Sequence, residues 1–153
     1  MAAIALSSVA FGQSANVYTF AATTGTYTEL ATGTDLPLVR ADSYISPAQT
    51  IGFDFVYEGV TYTQFKMTSN GAISLNPVGT NNLTSNDFST ANTTSRPIIA
   101  PLWDDNDGNV SSPLASIARY QVSGTTPNQV LTVEWRYWQW NYNASGNTIS
   151  HQI

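Results

Sequence analysis

Ile51-Gly52-Phe53-Asp54-Phe55-Val56-Tyr57, then Glu58-Gly59, then Val60-Thr61-Tyr62-Thr63-Gln64-Phe65-Lys66-Met67-Thr68, is the stretch that sets the fold class. In the first run Ile51, Phe53, Phe55 and Tyr57 alternate with Gly52, Asp54 and Val56, the period-2 pattern of a strand with one buried face. Glu58-Gly59 turns the chain, and the second run is rich in the β-branched and aromatic residues that suit a pleated surface. Ser69-Asn70-Gly71 supplies a pair that accepts positive φ ahead of Ala72-Ile73-Ser74-Leu75, so two successive hairpins are expected.

The same alternation recurs on either side. Residues 16–21 and 26–31 read as a short hairpin, and residues 117–123 as a strand whose Ala118, Tyr120 and Val122 share a face. A turn at 124–128 leads into the strongest strand, 129–140. There Leu131, Val133, Trp135 and Tyr137 fall on one face and Thr132, Glu134, Arg136, Trp138 and Trp140 on the other. No stretch keeps helical spacing over three turns. The expectation is an all-β, two-sheet antiparallel β-sandwich of jelly-roll type, with Phe53, Phe55, Phe65, Ile73, Val133 and Trp135 buried together and the face carrying Glu134 and Arg136 turned outward or lying under a loop. Residues 76–96 form a long, polar, nearly uncharged loop.

Composition agrees with that class. The 153 residues are enough for one domain with a full core, and 42% are hydrophobic. Only 10% are charged, against roughly 25% in ordinary soluble domains, while Ser, Thr and Asn together make up about a third. Hydroxyls and amides therefore carry solubility, as in many extracellular all-β proteins. A net charge of −5 with a single lysine, Lys66, leaves no basic patch to neutralise phosphates, which argues against a nucleic-acid partner. Cysteine is absent, so neither disulfides nor thiolate metal sites are available.

The apolar run from Ala2 to Ala10, ending in Ala10-Phe11-Gly12, fits the apolar region and cleavage site of a secretory signal and is too short to span a bilayer. Residues 1–12 are accordingly expected to be a signal-peptide remnant and 13–153 a single module, secreted or at the cell surface. Residues 147–153 read as a strand in mid-course, so the module is expected to be incomplete at its C-terminus, with further domains of the same polypeptide beyond.

Downstream of the hairpins, Arg96-Pro97-Ile98-Ile99-Ala100-Pro101-Leu102-Trp103 runs into Asp104-Asp105-Asn106-Asp107-Gly108. With the strand pair and the Asn70-Gly71 turn, this order resembles the nidogen-like extracellular domain, whose usual pattern is a small strand pair, an NG turn and IAPFW-D. It is similar in particular to a bacterial version of that module, found near the N-terminus of large secreted surface proteins of Bacteroidota type exported by the type IX route. The resemblance implies a non-catalytic unit acting in adhesion, recognition or as a spacer.

Two places offer binding chemistry. Trp138, Trp140 and Tyr142 on one strand face make an aromatic platform of the kind that stacks on sugar rings, with Asn141 and Asn143 to hydrogen-bond hydroxyls. The alternative to a free-standing module is thus a carbohydrate-binding accessory module of a secreted enzyme, and the expected partner is a glycan or an extracellular protein. Asp104, Asp105 and Asp107 present closely spaced hard oxygens, which makes Ca2+ the one cofactor with a physical case. The spacing is not that of an EF-hand, because Trp103 falls where the first acidic ligand belongs. A solvated Asp/Asn turn explains the same residues. Catalysis is not expected: the single histidine, His151, is in phase with Ile149 and Ile153, and no nucleophile, elbow motif or linked carboxylate pair accompanies it.

Overall fold

The computed structural model describes residues 18–87, 93–108 and 115–153. The expected signal remnant, 1–12, lies outside them. Among the described residues the chain forms two four-stranded antiparallel sheets. One has the order β1 (Thr34–Asp35), β6 (Ile117–Ser123), β7 (Val130–Trp138), β8 (Ile149–Gln152), and the other β2 (Gln49–Tyr57), β3 (Val60–Met67), β4 (Ile73–Ser74), β5 (Ile98–Ile99). This is the expected two-sheet β-sandwich. Glu58 and Gly59 both take positive φ, 51° and 77°, the conformation a two-residue hairpin needs between β2 and β3.

Phe65, Met67, Ile73, Leu75, Val133, Trp135 and Trp138 form the buried centre, with the rings of Phe65 and Tyr120 packed edge to face at 5.1 Å. Phe53 and Phe55 are only half-buried, because β2 is an edge strand. Their rings line an apolar cavity of about 250 Å³ with Leu131, Val133 and Ile153.

The sheets are joined at the segment between β3 and β4. Trp135 donates its indole N–H to the Thr68 carbonyl at 2.8 Å, and Trp138 donates to the Ser69 carbonyl at 2.8 Å. The Asn70-Gly71 turn, expected as an ordinary hairpin loop, is fully enclosed. Asn70 donates to the Asn82 carbonyl at 2.8 Å, and the Ser69 amide and hydroxyl bond to Tyr44. Gly71 adopts φ 71°, and the Leu102 carbonyl occupies the space a Cβ would need. The NG turn and the Leu102-Trp103 segment are thus one packed unit.

The structure departs from the sequence reading at Trp138 and at the expected N-terminal hairpin. Trp138 lies in the core, at 0% exposure, instead of sharing a face with Glu134 and Arg136. The cause is a break in the β7–β8 register between Trp135 and Trp138, where Tyr137 takes φ 59° and brings Trp138 back to the inner face. The backbone groups of that bulge are met by hydroxyls: the Tyr137 amide donates to Ser150 Oγ at 3.0 Å, and Ser116 Oγ donates to the Tyr137 carbonyl at 2.7 Å. Glu134, at 0% exposure, and the nearly buried Arg136 lie under a segment of chain, the second of the two arrangements expected for that face. They are covered by residues 27–32, so the expected hairpin at 16–21 and 26–31 is replaced, among the described residues, by an irregular segment crossing the outer face of the sheet. Described residues 76–87 form no strand, as expected of a loop, yet Leu83 is fully buried, and its carbonyl accepts the Trp103 indole N–H at 2.7 Å.

Gly71→Ala is expected to lower unfolding free energy by at least about 3 kcal/mol, through left-handed strain and collision with the Leu102 carbonyl. Gly25→Ala, with nothing within 4 Å of an added Cβ, is expected to stay within about 0.5 kcal/mol of the parent. Urea denaturation of the two variants checks this, and equal midpoints would refute the role given to Gly71.

Candidate functional site

The fold brings the two sequence-distant candidate patches to one place. The amide of Gln139, just beyond β7, donates to the Asp107 carbonyl at 2.8 Å, and the Asp107 amide donates to the Gln139 carbonyl at 3.2 Å. Three residues further on, the Tyr142 amide donates to the Asp105 carbonyl at 2.8 Å. The acidic loop after β5 therefore runs alongside the chain leaving β7. Trp140 and Tyr142 emerge there with 55% and 50% of their surface exposed. Trp138 does not join them, so the aromatic surface is a pair and not the three-ring platform read from strand alternation. Asn141 closes a turn beside the pair, its Oδ1 accepting from the Asn143 amide at 3.1 Å and its carbonyl from Ala144 at 2.8 Å.

Part of the acidic segment behaves as a self-bonded turn. Asp104 Oδ1 accepts from the Asp105 amide at 2.8 Å, and the Asp104 carbonyl accepts from the Asn106 amide at 2.8 Å. Asn106 is buried, its Nδ2 donating to the Leu102 carbonyl at 2.9 Å. Burial first, then the negative charges of Asp42 and Asp104, raises the Asp105 carboxyl above its ordinary range. Burial and then Asp42 do the same to Asp107. Asp42, from the turn after the 3₁₀ segment Pro37–Arg40, is a neighbour that sequence spacing gave no means of finding. Asp105 Oδ1 and Asn106 Oδ1 are buried without a hydrogen-bond partner. Among the described residues, however, no group of three or more Asp, Glu, His or Cys side chains is arranged to hold a metal ion.

His151 faces the core, in phase with Ile149 and Ile153 as the alternation requires. Its ring stacks on Trp135 with centroids 4.8 Å apart and planes 10° from parallel. Neither ring nitrogen has a hydrogen-bond partner, and burial pushes the imidazole pKa down to about 4.

A polar cluster missed by sequence reasoning lies on the outer face of the β1-β6-β7-β8 sheet. Glu134 Oε1 accepts from the Tyr27 hydroxyl at 2.8 Å, the Leu30 amide at 3.0 Å and Gln152 Nε2 at 2.7 Å. Arg136 Nη1 donates to Glu29 Oε2 at 2.6 Å, and the Tyr137 hydroxyl donates to Glu29 Oε1 at 3.1 Å. Those donors hold the Glu29 carboxyl below its usual range. Glu134 and Arg136 alternating in an otherwise apolar strand was the available signal; their partners Tyr27, Glu29 and Leu30, over 100 positions away, were not legible.

Two packed antiparallel sheets with an enclosed NG turn define an all-β module, and among the described residues no helix is long and apolar enough to cross a membrane. A model of the family described as NIDO related matches residues 17–153, and the chain belongs to that nidogen-related family. This membership points to an extracellular module. No curated protein and no solved structure matches the chain.

The depressed imidazole pKa fixes a pH dependence. The unfolded histidine takes up its proton near 6.5 and the folded one only near 4, so this contribution to stability is complete above about pH 6.5 and lost as pH falls toward 4. Across that window the slope approaches about 1.4 kcal/mol per pH unit. His151→Phe, which keeps the stack on Trp135, is expected to flatten it in urea denaturation at pH 7 and pH 5. A slope unchanged by the substitution would show that His151 is not its source.

Proposed function

We propose that the chain is a non-catalytic recognition module of a larger secreted or cell-surface protein, and that it binds through the rim where Trp140 and Tyr142 meet the acidic loop of Asp104, Asp105 and Asp107. The observation that carries this reading is the pairing of Gln139 with Asp107 and of Tyr142 with Asp105, which sets two exposed aromatic rings beside carboxylates and amides. Aromatic side chains with wet polar neighbours are what glycan and protein partners use, since rings supply contact area at little conformational cost and the rim supplies hydrogen bonds. Export is supported by the family and by the low-charge, hydroxyl-rich composition. A bacterial surface protein of Bacteroidota type, delivered by the type IX route, is the setting that the motif order suggests.

The non-catalytic reading rests on chemistry. Hydrolysis needs a nucleophile or activated water, a base of suitable pKa and a stabiliser of developing charge within hydrogen-bond reach. The chain has no thiol, and its one imidazole stacks in the core with both nitrogens unbonded. A carbohydrate-binding accessory role is the second reading, favoured by Asn141 and Asn143 flanking Tyr142.

Glycan-array and protein-binding measurements on the purified chain, with calorimetric titration of any hit, test the proposal. Trp140→Ala or Tyr142→Ala is expected to weaken binding by at least about tenfold, or ~1.4 kcal/mol, with the urea midpoint unchanged. Binding indifferent to both substitutions would remove the rim from consideration. Turnover of any glycan or peptide, lost on His151→Ala, would overturn the non-catalytic reading.

A further inference from the structure

Segments distant in sequence meet around the Asn70-Gly71 turn. Asn70 Nδ2 donates to the Asn82 carbonyl at 2.8 Å, and Asn82 Nδ2 donates in turn to the Ser43 carbonyl at 2.7 Å, which brings Asp42, the preceding residue, to the edge of this joint. On the other side a Cβ on Gly71 would lie 2.8 Å from Asn106 Nδ2, so the turn touches the acidic loop directly. Gly108 closes the ring of contacts. A Cβ there would lie 2.5 Å from Arg40 Cα, which sets the end of the acidic loop against the segment leading to Asp42.

Three oxygens in this joint, Asn70 Oδ1, Asp105 Oδ1 and Asn106 Oδ1, are buried and accept no hydrogen bond from any described residue. Asn70 and Asn106 are 0% and 1% exposed. Neither amide can be turned round to help, because each Nδ2 is committed to a carbonyl, that of Asn82 or of Leu102, which can only accept. The joint is therefore short of donors and positive charge, and not of acceptors. Neighbouring carboxylates deepen the deficit: the charges that raise Asp105 and Asp107 come from Asp42, Asp104 and Asp105, and none of the ion pairs among the described residues includes any of these four. Arg40 directs its guanidinium to the Pro37 and Ser116 carbonyls instead.

We propose that this joint binds a calcium ion, with Asn70 Oδ1, Asp105 Oδ1 and Asn106 Oδ1 as its side-chain ligands. Calcium suits such a set: it takes about six to eight oxygens, accepts amide carbonyls beside carboxylates, tolerates irregular geometry and leaves remaining positions to water. One carboxylate with two amides is not a cluster of three acidic side chains, so the site agrees with the absence of such a cluster among the described residues. Asp42 and Asp107 add negative charge beside it. Magnesium demands near-ideal octahedral geometry and keeps its waters, which amides fixed by their own hydrogen bonds do not favour. Because the ligands come from the turn after β3 and the loop after β5, the ion fastens the two together, and binding to the folded chain alone raises its stability. The site does not rest on the rim reading, since its test reads cation affinity and stability and involves no partner at Trp140 or Tyr142.

Calorimetric titration of the chelator-treated chain with calcium chloride is expected to give a Kd of about 1 mM or tighter, the range of extracellular calcium modules. The urea midpoint is expected to be higher in about 10 mM calcium than in EDTA, and to rise less in the same concentration of magnesium. Asp105→Asn is expected to weaken calcium binding at least about tenfold and to remove most of the midpoint rise. Its midpoint in EDTA is expected to stay at or above the parent's, because repulsion from Asp42 and Asp104 is relieved. Asp54→Asn, the same change of charge at an exposed position on β2, is expected to behave as the parent does. If Asp105→Asn does not fold, the parent's titration decides alone. Absence of both binding heat and midpoint shift at about 10 mM calcium overturns the proposal, as does an equal response to magnesium or a full calcium response retained by Asp105→Asn.

Discussion

Two indole hydrogen bonds hold the sandwich in one arrangement. Trp135 and Trp138 belong to one sheet, while the Thr68 and Ser69 carbonyls that accept from them follow the second strand of the other. An indole N–H sealed in a core without a partner costs about 1–3 kcal/mol, so these bonds fix how the sheets meet as well as how strongly. Three irregular segments among the described residues pack on the same turn. Ser69 ties down Tyr44, Asn70 ties down Asn82, and Gly71 makes room for the Leu102 carbonyl. The NG turn and the Leu-Trp-Asp-Asp segment, the two motifs that carry the resemblance, are thus two halves of one packed joint.

The left-handed Tyr137 is what makes the joint reachable by both tryptophans. A non-glycine residue in that conformation costs about 1–3 kcal/mol, and here the Ser150 and Ser116 hydroxyls meet the displaced backbone groups. Its effect extends past Trp138. By re-phasing the strand it sends the following residues along the acidic loop, so that Gln139 pairs with Asp107 and Trp140 and Tyr142 emerge at the rim. One backbone irregularity therefore seats a core tryptophan and places the exposed aromatic pair.

The outer face of the same sheet obeys a different rule. Glu134 and Arg136 are excluded from water by residues 27–32, and their burial is compensated by the hydrogen bonds that segment supplies. A sandwich with one apolar interface and one polar interface has two kinds of joint. The first resists opening because unpaired indoles and exposed core must be tolerated together; the second exchanges with water bond by bond.

Local pattern was enough for the strands. Alternation at Ile51, Phe53, Phe55 and Tyr57, the positive-φ pair Glu58-Gly59 and the apolar set Leu131, Val133 and Trp135 each state their element without help from distant residues, because strand faces and tight turns are set by near neighbours. Trp138 was misassigned by the same logic, since alternation has no memory of a bulge whose supporting hydroxyls come from Ser116, just before β6, and Ser150, on β8. The candidate site divides in the same way. Its residue types, aromatic rings and carboxylates, were visible in the sequence. Their meeting at one rim, the addition of Asp42, the loss of Trp138 to the core and the choice of residues 27–32 as the cover over Glu134 were decided by tertiary structure alone, because each depends on contacts between segments tens of residues apart, whose distance no local periodicity encodes.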